Sequence, residues 1–84
     1  MPLYDPKLSR FKLWVSLKGN DAKNEIFYSF IKEDEKGDTA SINGIVRRLI
    51  EGKLKNKYIT AILYWNNPKR EGIIHKWVMG KLEQ

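Results

Sequence analysis

Apolar and polar side chains alternate along the stretch FKLWVSL, residues 11–17. A period of two predicts a strand with one buried face and one polar face. The stretch EIFYSFIK, residues 25–32, is rich in β-branched and aromatic residues and follows the turn-forming segment KGNDAKN. Such residues favour strands, so we predict that the two stretches pair as an antiparallel hairpin.

The apolar period changes after Thr39. Apolar residues fall at positions 42, 45, 46, 49 and 50, which form one stripe of an amphipathic helix. Thr39 or Ser41 is expected to cap the first turn, and Gly52 is expected to end the helix in a left-handed conformation. Gly44 lies inside this helix, where we expect a close approach to the sheet.

Two further strands are predicted in KYITAILYW and IIHKWVM, joined by the turn-forming segment NNPKREG. The order β-β-α-β-β predicts an α+β fold, in which one amphipathic helix packs on one face of a four-stranded antiparallel sheet. We expect residues 1–9 to form an extended N-terminal arm, residues 10–80 a single compact domain and residues 81–84 a C-terminal tail.

A single helix covers only one face of such a sheet, so the other face is open to water, a partner or a second copy. On the third strand we expect the buried set to be Ile59, Ala61, Leu63 and Trp65, with Tyr58, Thr60, Ile62 and Tyr64 on the open face. On the second strand, either of the two alternating sets of residues could be the buried one. For the fourth strand we favour burial of Ile73, His75, Trp77 and Met79, because the alternative buries Lys76.

The formal net charge of +6 is unevenly distributed over the 84 residues. Residues 1–44 contain seven acidic and seven basic residues, whereas residues 45–84 contain three acidic and nine basic residues. A basic half favours a polyanionic partner such as nucleic acid. The alternative is that the lysines only keep a small protein soluble.

The predicted open face combines aromatic and basic residues. This combination suits single-stranded nucleic acid, because unstacked bases lie on aromatic rings while Lys and Arg neutralise phosphates. The candidate stacking residues are Trp14, Tyr28, Tyr58 and Tyr64, and the candidate phosphate-binding residues are Lys12, Lys18, Lys69, Arg70 and Lys76. The NNPKREG tip would extend past the sheet edge as a finger. Alternatively, the tyrosines are cross-strand packing partners with no ligand.

A second basic set lies on and after the predicted helix, at Arg47, Arg48, Lys53, Lys55 and Lys57. These side chains would suit the phosphate backbone of a duplex without reading its sequence. The alternative is a solvated helix face on which the two arginines pair with Glu51.

Other chemistries have little support in the sequence. The acidic segment EDEKGD has too few ligands in the right positions for a calcium loop, so we expect a solvated turn and no metal site. The chain has one histidine and no cysteine, so we expect no catalysis, no cofactor and no small-molecule substrate. No apolar stretch approaches the roughly 20 residues that cross a bilayer. We expect a cytoplasmic protein with no membrane partner.

These observations predict a small basic protein that binds nucleic acid with little sequence specificity, favouring single strands over duplex. The alternative is a protein-interaction module, such as a homodimer, an inhibitor or a regulatory adaptor, that uses the same aromatic face.

Overall fold

A computed structural model describes residues 3–19, 23–67 and 72–83 of the chain. The elements, in chain order, are β1 (Phe11–Leu17), β2 (Asn24–Tyr28), α1 (Ile31–Glu35), α2 (Asp38–Ile45), a π-helical segment (Val46–Lys53), β3 (Tyr58–Trp65), β4 (Ile73–Val78) and β5 (Lys81–Leu82). Helical backbone angles continue from α2 into the π-helical segment without a break. The predicted α+β class is confirmed.

The described strands form one antiparallel sheet in the order β2-β1-β3-β4-β5. The expected antiparallel pairing is confirmed, but the expected count of four strands is wrong, because the sheet has five. The additional strand, β5, is only two residues long and pairs Leu82 with Trp77 and Lys81 with Val78.

The hydrophobic core lies between one sheet face and the helical layer. Phe11, Leu13 and Val15 of β1 have no exposed surface, as the alternation in this strand predicts. They pack with Ile45, Leu49, Ile50 and Leu54 from the helical layer and with Tyr58, Ala61, Leu63 and Trp77 from the sheet. Burial of this apolar surface is the main favourable contribution to folding.

The acidic segment is part of the structural framework, so the expectation of a solvated turn is wrong. The predicted second strand ends at Tyr28, and the chain turns into α1 from Ile31. Asp34 is buried and accepts hydrogen bonds from the Arg10 backbone N–H at 2.9 Å and from the Ser41 hydroxyl at 2.6 Å. This carboxylate therefore ties the start of β1 to both helices.

The ends of the helical layer also differ from expectation. Gly37, with φ of 115°, precedes α2, and no side chain caps this helix. Gly52 lies within the π-helical segment, and the left-handed residue is Asn56, with φ of 63°. A Cβ atom on Gly44 would meet the carboxylate of Glu33, so the close approach at this glycine is to α1 and not to the sheet.

Two register shifts decide which strand residues are buried. Between Ser16 and Leu17 the partners on β3 change from Thr60 to Tyr58. This irregularity buries Tyr58 and leaves Ile59 41% exposed, opposite to the predicted assignment. A one-residue irregularity has this effect because side chains alternate between faces along a strand.

The second register shift is in the pairing of β3 with β4, between Leu63 and Tyr64. Trp77 is buried, and His75 pairs with Leu63 on the same face, as expected. Ile73 and Met79 are exposed, so their predicted burial is wrong. On β2 the structure shows which alternating set is buried: Phe27 packs against the core, whereas Ile26 is exposed.

The segment before β1 is held to the rest of the molecule by hydrogen bonds. The Leu3 carbonyl accepts from the Ile31 backbone N–H at 2.9 Å. Ser9 is buried and donates its hydroxyl to the Ser29 carbonyl at 2.7 Å. The Asn66 side-chain amide donates to the carbonyls of Pro6 and Ser9. These bonds place residues 3–9 beside α1 and the end of β3.

Candidate nucleic-acid interface

The sheet face opposite the helical layer, here called the open face, is made of three rows of cross-strand neighbours. The first row is Tyr28, Lys12, Tyr64 and Ile73; the second is Ile26, Trp14, Ile62 and Lys76; the third is Asn24, Ser16, Thr60 and Val78. Residues on one face of β1 alternate with the buried core residues, which is why Lys12, Trp14 and Ser16 share this face. The α2 helix and the π-helical segment pack on the other side.

Lys12 lies between two tyrosines in the first row. Its Cα partners are Tyr28 on β2 and Tyr64 on β3, and its Nζ atom is 4.7 Å from the centroid of the Tyr64 ring. At this distance the ammonium group is attracted by the ring face. The contact holds a positive charge directly beside an aromatic surface.

Trp14 occupies the middle of the second row, between Ile26 and Ile62. Its side chain is half-buried. Because Lys12 and Trp14 are two residues apart on one strand, their Cα atoms are about 7 Å apart on the same face. Lys76 is the cross-strand partner of Ile62 in the same row. The aromatic ring therefore has a lysine in the neighbouring row and another along its own row.

Burial raises the pKa of the Tyr64 phenol above its ordinary value. A phenol with an ordinary pKa of about 10 is already neutral at physiological pH, so Tyr64 adds no negative charge to the face. A neutral phenol can donate a hydrogen bond to a phosphate or a base.

Tyr4 is a further aromatic residue at this site; it lies before β1, outside the predicted strands, so no alternation pointed to it. Its ring stacks on Tyr28, with centroids 5.9 Å apart and an interplanar angle of 12°. Tyr4 is 49% exposed. It extends the aromatic surface of the first row beyond the edge strand β2.

Two predicted members of the open face lie elsewhere in the structure, and two more lie outside the described residues. Tyr58 is only 2% exposed and belongs to the core. Lys18 is exposed, but it follows β1 and lines a groove beside the helical layer together with Lys53 and Lys57. Lys69 and Arg70, like the tip at residues 68–71, lie outside the described residues. The structure therefore brings together Lys12, Trp14, Tyr28, Tyr64 and Lys76 from the predicted set.

The second basic set is divided by the structure. Arg48 pairs with Glu33 at 2.8 Å, and its guanidinium lies 3.4 Å from the centroid of the Phe30 ring. The expected alternative pairing of this arginine with Glu51 is replaced by a contact with α1. Arg47 is exposed and lines a shallow groove with Glu33 and other residues of both helices. The lysines of this set, Lys53, Lys55 and Lys57, are exposed near the end of the helical layer.

Two other kinds of site are absent from the described residues. Within residues 3–19, 23–67 and 72–83, no group of three or more His, Cys, Asp and Glu side chains could hold a metal ion. In the same ranges, no helix combines the length and the apolar character that a bilayer crossing requires.

Comparison with known proteins gives no match to a family model, to a curated protein or to a solved structure. The function proposed below therefore depends on the geometry and charge of the open face.

Proposed function

We propose that this protein is a small nucleic-acid-binding protein, not an enzyme, and that it binds single-stranded DNA or RNA across the open face with little sequence specificity. The observation that carries the proposal is the position of Lys12 between Tyr28 and Tyr64, with Trp14 in the adjoining row. Aromatic and basic side chains therefore occupy neighbouring positions on one surface, which suits a chain of stacked bases and phosphates.

Bases would stack on Trp14 and Tyr64, and their phosphates would lie near Lys12 and Lys76. Each base stacked on an aromatic side chain contributes about 1 to 3 kcal/mol. Every base has a π-face, so stacking discriminates little between sequences. The lysines act as point charges and recognise phosphate without recognising a base.

A single strand suits this face better than a duplex. The open face is a sheet surface. No described helix lies on this side of the sheet, where it could enter a DNA groove. Bases in a duplex are stacked on one another, so their faces are inaccessible to Trp14. A duplex would contact only the lysines, and its affinity would depend almost entirely on phosphate neutralisation.

The test is a titration of the protein with labelled single-stranded and duplex oligonucleotides, followed by fluorescence anisotropy at about 50 and 200 mM salt. We expect salt-sensitive binding with preference for the single strand. Trp14→Leu keeps an apolar side chain but removes the ring, and it should weaken single-strand binding about 5- to 150-fold. Trp14→Phe retains a stacking surface and should lose less. Absence of binding to both forms at the lower salt would overturn the proposal.

A protein partner for the same face is the second candidate. Ile26 and Ile73 lie on the open face and are 48% and 49% exposed. Exposed isoleucines beside tyrosine and tryptophan also fit the centre of a protein interface. Sedimentation of the protein alone distinguishes the two, because a homodimer through this face would have twice the monomer mass. Its association would also be much less sensitive to salt than phosphate binding.

A further inference from the structure

Lysines from three parts of the chain meet at the end of the sheet where β1 ends. Lys18 follows β1, Lys53 ends the π-helical segment, and Lys57 precedes β3. The Lys18 backbone N–H donates to the Lys57 carbonyl at 3.0 Å, which holds the two chain segments side by side. The three side chains are exposed and, with Leu17 and Leu54, line a groove of about 510 Å³. We call this surface the lysine groove.

The opposite end of β1 carries the acidic residues. At this end the Arg10 backbone N–H donates to Asp34, and the Arg10 guanidinium pairs with Asp38. Glu33 and Glu35 lie on the same short helix as Asp34. One acidic residue, Glu25, also lines the lysine groove, where three lysines outnumber it. The acidic residues at the start of β1 lie beside basic ones, whereas three lysines outnumber one carboxylate in the lysine groove. The lysine groove therefore attracts a polyanion more strongly than the opposite end does.

The open face continues directly into the lysine groove. Trp14 and Ser16 lie on the open face, and Lys18 follows directly after the end of β1, where it lines the lysine groove. Four residues of extended strand, from Trp14 to Lys18, span about 13 Å. The row between them is uncharged and consists of Asn24, Ser16, Thr60 and Val78. No acidic side chain of the three rows separates the aromatic surface from the lysines.

We propose that the lysine groove binds the sugar-phosphate backbone of the same single strand that stacks on the open face. The strand leaves Trp14 over Ser16, turns around the end of β1 and places its phosphates beside Lys18, Lys53 and Lys57. This inference rests on the proposed function, and it adds a second site and a direction: the strand extends toward the lysine groove and away from the acidic end.

The test compares a short oligothymidylate of about four nucleotides with a long one of about 16, which bracket the usual site sizes of single-strand-binding domains. Each phosphate contact on a single strand contributes about 0.7 to the slope of log affinity against log salt. The Lys53→Ala/Lys57→Ala variant should therefore lower this slope by about 1.4 for the long oligonucleotide and leave it unchanged for the short one.

The matched control is Lys32→Ala/Lys36→Ala, which removes the same charge from exposed positions at the acidic end. It should leave the slope unchanged for both lengths. All four lysines are exposed, but Lys53 Nζ also lies 5.5 Å from the centroid of the Phe27 ring. Thermal unfolding of both variants is therefore measured first, and the titrations are made at a temperature where both are fully folded.

The outcomes separate the two proposals. If the wild type binds neither oligonucleotide, the proposed function fails and the lysine groove fails with it. If Trp14→Leu weakens binding while Lys53→Ala/Lys57→Ala leaves the slope for the long oligonucleotide unchanged, only the lysine groove is refuted. Equal loss of slope in the two lysine variants also refutes it, because the effect is then one of net charge.

Discussion

Replacing Asp34 with alanine is expected to lower the free energy of unfolding by about 3 to 5 kcal/mol, because hydrogen bonds to a charged group each contribute about 1.5 to 3 kcal/mol. Asp34 is 8% exposed and accepts two hydrogen bonds, from the Arg10 backbone N–H and the Ser41 hydroxyl. These donors lie in different parts of the chain, so the substitution removes a link both to the start of β1 and to α2.

The two donors are not affected equally. The Ser41 hydroxyl also lies 3.3 Å from the Gly37 carbonyl and keeps this weaker acceptor in the variant. The Arg10 backbone N–H loses its carboxylate partner at the point where β1 begins. This bond is only partly buried, so leaving its donor without a partner costs an amount toward the lower end of about 1 to 3 kcal/mol. The total is a large share of the roughly 4 to 13 kcal/mol that a domain of this size has.

Equilibrium unfolding in urea, followed by tryptophan fluorescence, measures this loss. Glu35→Ala is the matched control, since Glu35 is an exposed carboxylate on the same helix, and it should change the stability by less than about 0.5 kcal/mol. Ser41→Ala should cost about 1 kcal/mol and be non-additive with Asp34→Ala. If Asp34→Ala costs no more than Glu35→Ala, the carboxylate does not tie β1 to the helices.

Two further substitutions test other parts of the fold. Burial raises the pKa of the Tyr58 phenol, so the unfolded chain loses this proton first and the stability falls as the pH rises above about 10. Unfolding curves at pH 8 and at alkaline pH should show a smaller fall in stability for Tyr58→Phe than for the wild type. Equal falls in the two proteins would contradict this prediction. Gly44→Ala gains about 1 kcal/mol of helix propensity, but the added methyl group displaces the Glu33 carboxylate and weakens its pair with Arg48. The net change in urea stability should be near zero, whereas in a Glu33→Ala background the same substitution should stabilise the protein, and a loss of stability in that background would refute the explanation.

The parts of the fold that follow from local periodicity were predictable from the sequence. In β1 a strict alternation separates Leu13 from Trp14, and the observed burial follows it. The helical stripe likewise places Ile45 and Leu49 in the core. Helix α1 was not predictable in this way, because β-branched and aromatic residues lead into it and the bonds that hold Asp34 come from distant parts of the chain.

The register shift between Ser16 and Leu17 links the errors in the predicted site to one physical cause. With an uninterrupted register, Leu17 would pair with Ile59 and Lys18 with Tyr58, which would leave both Lys18 and Tyr58 on the open face. The observed shift pairs Leu17 with Tyr58, so that Tyr58 enters the core. It also brings Lys18 to Lys57, as their backbone hydrogen bond shows. One irregularity thus removes a ring from the stacking surface and builds the lysine groove, and alternation alone could not reveal either effect.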